Sequence, residues 1–350
     1  MSGLKVMLRA AIRANAADAR APYYLGNLLY DWQPEEATKL WEASAKIDPN
    51  FAITHRNLAI AYMHRKQGRG LQDAIAQMEK AVSLDRKYAS HFTELDELYE
   101  QAGVAIDKRL PLFEKNRQTV LQRDDSSNRW IALKIAAGKY DEAIELMKSK
   151  TFAAVEGANL NVPEHWTDAH LLRGQARLNA KRYKEALADF DAALHLPANL
   201  PAGLGFAEGS GGAARAAEIA WWTGEAYEAT GDREKASAAW QRGATAGSPE
   251  RRWRRGPMTP SSQSYYQALC LQKVGQNEKA TAQLKGLVDA GRGMLGDSAR
   301  LRVARGHYLA GLGYVGLNDR EKGRAELQEA VTMSPDLVGA RSALGWLTNE

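Results

Sequence analysis

The strongest constraint on this chain is that it repeats a two-helix pattern. Four windows can be laid over one another: YLGNLLYDWQPEEATKLWEASAKIDP (24–49), GKYDEAIELM (138–147), LLRGQARLNAKRYKEALADFDAALHLP (171–197) and WWTGEAYEATGDREKASAAWQRGA (221–244). Each pairs a helical stretch with a small residue at its middle, a short polar turn, and a second helical stretch. The second stretch opens near an acidic residue and an alanine. Apolar residues at i, i+3 and i+4 give each helix one buried face. Four places on from Ala37, Ala143, Ala186, Ala236 and Ala280 stand Trp41, Met147, Phe190, Trp240 and Leu284. These large side chains are predicted to fill the groove against the neighbouring hairpin. A lone hairpin cannot bury both its faces, so hairpins must stack. Gly138, Gly231 and Gly275 fall where first helices should stop, as C-cap glycines do. Pro49 and Pro335 stand where second helices should close, because proline cannot continue a helix.

These residues resemble the tetratricopeptide repeat. The matches are Leu25-Gly26, Leu58-Ala59 with Tyr62, Gly174, Gly224 with Tyr227, and Gly311 with Tyr314, together with the second-helix alanines. The resemblance implies an all-α, right-handed α-solenoid of about eight antiparallel helix hairpins. Second-helix anchors fall near Ala37, Ala74, Arg109, Ala143, Ala186, Ala236, Ala280 and Gly323, at intervals of 37, 35, 34, 43, 50, 44 and 43 residues. The longer second-half intervals require longer connections or longer helices. The third unit departs most, because Arg109 replaces the alanine and Pro111 follows it inside the second helix. The expected organisation is a partial repeat or cap helix over 1–20, repeats one to four over 21–155, repeats five to eight over 156–335, and a partial repeat or cap over 336–350. RAPYYLGNLLYD, the long second-half connections and NLPAGLG also resemble the C-terminal repeat array of large bacterial proteins with an N-terminal β-rich domain of unknown function.

Little in the chain suggests chemistry. It has 350 residues, 45% hydrophobic and 25% charged, with a net charge of +5. That balance does not indicate nucleic acid. The one cysteine, Cys270, sits in an apolar helical run and reads as a packing residue. There is no HExxH; His165 and His170 are five apart, one residue off the spacing that would put two ligands on one helix face. GLGFAEGSGG lacks the Lys-Ser/Thr of a phosphate loop and reads as an inter-hairpin loop. Acidic pairs such as Glu35-Glu36 and Asp141-Glu142 suit helix N-termini. No catalytic residue, cofactor or metal is expected, and no run is long and apolar enough to span a membrane.

The resemblance also implies which first-helix positions face a groove. Three residues before the central small residue, that column reads Tyr23, Arg56, Thr93, Asn128, Leu171, Trp221, Tyr265 and Tyr308. Asn27, Gln175 and Glu225 follow the small residue, and Tyr30 and Glu228 lie further on. Aromatics and amides suit an extended peptide and could equally suit a glycan. A second contact surface is expected at ERRWRRG, where Arg251, Arg252, Arg254 and Arg255 surround Trp253. It lacks the extended basic track of a nucleic-acid site. The expected function is a non-catalytic protein–protein scaffold in the cytoplasm, monomeric or weakly self-associating. The alternative is an accessory region of a larger carbohydrate-active or metabolic bacterial protein.

Overall fold

The structure, a computed structural model, describes residues 2–64, 70–153, 160–200, 211–246 and 261–349. Among them are nineteen α-helices, one 3-10 turn and no strand. Helix α1 (Ser2–Ala14) precedes α2 (Arg20–Leu29) and α3 (Pro34–Ile47), α4 (Ala52–Met63) and α5 (Gly70–Leu84), and α6 (Ala89–Ala102) and α7 (Ile106–Lys115). The short α8 (Arg117–Val120) leads to α9 (Asp124–Ala136) and α10 (Tyr140–Ser149), then α11 (Val162–Asn179) and α12 (Tyr183–Ala192). After the 3-10 turn Gly211–Arg215 come α13 (Ala216–Ala229) and α14 (Arg233–Thr245), α15 (Ser262–Lys273) and α16 (Asn277–Arg292), and α17 (Arg300–Gly316) and α18 (Arg320–Met333). Helix α19 (Val338–Asn349) stands after the eighth pair. The described residues thus form eight tetratricopeptide-like helix hairpins, most helices packing on the next in sequence, as α4 does on α5 and α17 on α18. The longer second-half repeats use longer helices, with 18 residues in α11 and 17 in α17.

Two compact units arise. One comprises Met1–Val104 and Pro111–Ser127, the other Ala105–Leu110 and Asn128–Glu350. In the first, α1 lays Leu8 and Ile12 on the Leu25–Leu29–Ala37 cluster, and Arg9 pairs with Glu36 at 2.7 Å. In the second, successive clusters run from Ile131 and Met147, through Phe190 and Trp222, to Leu309 and Leu327.

The anchors are buried as the pattern requires. Ala37, Ala74, Ala143, Ala186 and Ala280 are fully buried, and so is Arg109. The large residue four places on packs first inside its own hairpin, which refines the expectation. A Cβ on Gly26, Gly174 or Gly224 would lie within 2.5 Å of Trp41, Phe190 or Trp240 respectively. The bare glycine is what lets each ring cross its own first helix. Trp41 then also reaches Leu58 and Ala61 of the next hairpin.

The turns share one construction. Gly103, Gly138, Gly231 and Gly275 have φ between 69° and 81°, and each is followed by a backbone bond closing six residues, such as Gln276 N–H to the Leu271 carbonyl at 2.8 Å. Lys181 and Asn318 occupy the same place with φ of 61° and 66°. The left-handed region costs a residue with a Cβ roughly 1–2 kcal/mol. Lys181→Gly is therefore expected to stabilise the second unit by about 1 kcal/mol. The measurement is the urea unfolding midpoint; an unchanged or lower midpoint refutes it. Asn318→Gly should gain less, because asparagine tolerates this region.

Candidate functional site

The first-unit positions converge on one polar ladder. Trp41 Nε1 donates to Asn27 Oδ1 at 3.0 Å and to the Tyr23 carbonyl at 3.2 Å, while Asn57 Nδ2 donates to the same Asn27 oxygen at 2.8 Å. The Asn27 side chain is exposed. Tyr23 is braced edge-on by Tyr24 and Phe51, and Tyr30 lies against Trp41 with ring centres 5.0 Å apart. Burial pushes the Tyr30 hydroxyl pKa up. Arg56 makes a two-pronged pair with Glu94, one prong at 2.8 Å, which holds the guanidinium firmly protonated. Tyr23, Asn27, Tyr30 and Arg56 are thus braced by contacts from within the unit.

Two of the second-unit positions, Gln175 and Tyr308, meet α19. Gln175 is buried, and its Oε1 accepts from Ser342 Oγ at 2.5 Å and from Trp346 Nε1 at 3.4 Å. Trp346 lies on Trp222 with ring centres 4.8 Å apart. Tyr308 is buried; a Cβ on Gly339 would stand 2.5 Å from its hydroxyl. Burial, reinforced by the charge of Glu218, pushes that hydroxyl pKa well up. Arg341 donates to the Ala136 carbonyl, and the Arg109 guanidinium, wholly buried, pairs at 2.5 Å with Asp336 just before the helix. Trp221 packs on Trp240 and receives the Lys273 ammonium over its ring at 5.5 Å. Glu225 pairs with Lys273 at 3.1 Å, and Tyr265 stands edge-on to Tyr266. Asn128 is buried, with no hydrogen-bond partner at its Oδ1.

This arrangement shows how the second unit's first helices curve. A helix of 12 residues is about 18 Å long. Stacked helices stand roughly 8–10 Å apart. A flat wall would let α19 reach two or three of them. It instead touches residues from α9, α11, α13 and α17, so these helices wrap around it.

The sequence reasoning missed Trp222 beside the expected Trp221, and it missed Arg109 as anything but a departure from pattern. Its anomaly among alanines was the available signal. Arg251, Arg252, Trp253, Arg254 and Arg255 lie outside the described residues. His170 Nδ1 lies 3.0 Å from Asp189 Oδ1, and that carboxylate also accepts from Arg173 and Arg177. Burial pushes the Asp189 pKa up, but the hydrogen bonds and the arginine charges outweigh it and hold the carboxyl below its usual range. Among the described residues no group of three or more His, Cys, Asp or Glu could hold a metal ion. None of the helices there is long and apolar enough to cross a membrane. Cys270 is fully buried and burial pushes its thiol up to about 12, so it is held as an inert thiol.

Beside the wall lies a charge cluster. Arg215 donates to Glu218 at 2.6 Å and to Asp168 at 2.7 Å, and Gln263 Nε2 donates to Glu218 at 3.1 Å. Burial drives the nearby His165 imidazole down to about 4, with Arg129 adding to it and Asp168 opposing. The sign follows directly. Between about pH 6.5 and 4 the unfolded chain binds this proton and the folded chain does not, so stability falls as pH falls through that window. With part of the ring reachable by water, the loss is on the order of 2 kcal/mol. His165→Gln should flatten the pH dependence of the unfolding midpoint there; an unchanged slope refutes the assignment.

No family model matches this sequence. Its likeness to solved structures is distant. A tetratricopeptide repeat protein from Parabacteroides merdae is 14% identical with a TM-score of 0.43, over 85% of this chain and 99% of its own. YrrB, described as a TPR protein with an unusual peptide-binding site, is 16% identical at 0.40, over 67% and 97%. The Naa15/Naa10 complex with HypK-THB contains a chain 13% identical at 0.38, over 95% and 55%. Such distant likeness carries no binding property to this protein.

Proposed function

We propose that this protein is a non-catalytic interaction scaffold whose first-helix faces receive a segment of a protein partner. One observation supports this above the rest: in the second unit those faces already hold a helix, through Gln175, Trp222 and Tyr308. A surface that binds a protein segment in cis has the shape and polar groups to bind one in trans. Peptide is favoured over glycan, because the rings of Trp221 and Tyr265 are packed against other side chains and do not stand as open stacking platforms. The lone thiol suits the reducing cytoplasm. The first-unit ladder around exposed Asn27, together with Arg56 paired to Glu94, is the second stretch we assign to partner contact. The test is affinity capture from lysate with wild type and with Asn27→Ala, Arg56→Ala and Gln175→Ala, each verified as folded by circular dichroism. Partners held by the wild type should be lost or reduced by at least one of the three; identical sets from all four proteins would overturn the proposal.

A further inference from the structure

We infer that α19 is a displaceable ligand that the second unit holds in cis, and that the partner this surface takes is an amphipathic α-helix of the same chemistry. The inference rests on reading these faces as a binding surface and names the class of segment they bind. Three observations carry it. First, α19 is seated less deeply than the wall that holds it, although Ala340 and Leu347 belong to an apolar cluster and Val338, Ala343, Leu344 and Trp346 pack against the clusters. Between 338 and 347 only Ala340 and Leu347 are buried, and Arg341 is exposed; α17 has eight buried residues. An element held by few buried contacts opens at low free-energy cost. Second, the contacts read as recognition. Ser342 and Trp346, four apart on one helix face, both donate to the single acceptor Gln175 Oε1. Val338, Trp346 and Leu347 each enter a different apolar cluster of the unit. Arg341 adds one bond to a backbone carbonyl. Helix-in-groove binding uses such spaced anchors with polar pins between them. Third, Gln175 is almost wholly buried, and α19 supplies both hydrogen bonds to its oxygen. Any segment that replaces α19 must bring donors there or leave a buried acceptor unmet.

The occupant is therefore specified: a helix with a hydroxyl residue and a tryptophan four apart, a basic residue just before the hydroxyl, an apolar residue four before the hydroxyl, and a small residue where Gly339 passes Tyr308. A partner helix binds by taking the place of α19. Its apparent affinity is lowered by the fraction of molecules in which α19 is seated, so loosening α19 tightens the partner.

The experiment uses the full chain, wild type and with Arg341→Ala, Ser342→Ala and Trp346→Ala combined, and a fluorescein-labelled synthetic peptide of sequence SPDLVGARSALGWLTNE. Hydrogen exchange of the wild type is expected to show residues 338–347 exchanging at least ~10-fold faster than α17. The peptide is expected to bind the triple variant at least ~10-fold more tightly than the wild type. Adding Gln175→Ala to the triple variant should weaken that binding. Gly339→Ala, whose methyl would strike the Tyr308 hydroxyl, provides an independent way to unseat α19 and should act in the same direction. Exchange of α19 only together with α17 overturns the inference, as does an unseated α19 with no gain in peptide binding. Partners captured through Gln175 with no competition from the peptide also overturn it and leave the scaffold reading standing. Peptide competition, with captured partners unchanged in every wall variant, would place both peptide and partners away from this wall and overturn both readings.

Discussion

Asp336→Ala is expected to cost the second unit about 3–5 kcal/mol, the largest single effect of any change to a charged residue here. Arg109 occupies the position that alanine holds in six of the other hairpins, and its side chain is fully buried. The guanidinium cannot give up its charge, so removing the carboxylate takes an opposite charge away from a cation held in low dielectric. The measurement is equilibrium urea unfolding. The double variant Arg109→Leu with Asp336→Asn should lose much less, because no charge then remains buried. A loss below about 1 kcal/mol for the single change would mean that water reaches the guanidinium.

Phe190→Ala should cost a similar about 3–5 kcal/mol, by a different route. The ring is fully buried and lies across Gly174, where a Cβ would come within 2.4 Å of it. Deleting the ring loses its burial and leaves a cavity at the helix crossing. Gly174→Ala alone should cost about 1–3 kcal/mol, because the added methyl strikes the ring. Together the two changes should cost less than their sum, since the methyl enters the space that the ring vacates. Unfolding free energies of the four proteins in this cycle measure the coupling. Strict additivity would show that the ring and the glycine do not meet in solution.

The hairpins were legible in the sequence because their causes are local. The small residue at each crossing, the anchor three or four places into the second helix, and the glycine at the turn each act within one hairpin, and Gly138, Gly231 and Gly275 take the left-handed conformation expected of them. Lys181 and Asn318 occupy equivalent turns without a glycine signal, with the same closing backbone bonds, Arg182 N–H to the Arg177 carbonyl and Asp319 N–H to the Tyr314 carbonyl. Asp232 and Asp319 cap their second helices by accepting from Lys235 N–H and Lys322 N–H, which is the role their type and placement suggest.

The functional surface was legible only in part. Family resemblance pointed to Gln175 and Tyr308 as positions on a groove, but it carried no sign that α19 would lie on them. The partial repeat or cap expected over 336–350 is silent about where its helix goes. Nor could Arg109 be matched to Asp336, 227 residues away. What the sequence determined by itself is the unit of construction: helix type, turn, crossing and stacking order, all set by side chains a few positions apart. What only the tertiary structure decided is which distant hairpins face one another. That depends on the small rotation between successive hairpins added up over many of them, and no single residue encodes the sum.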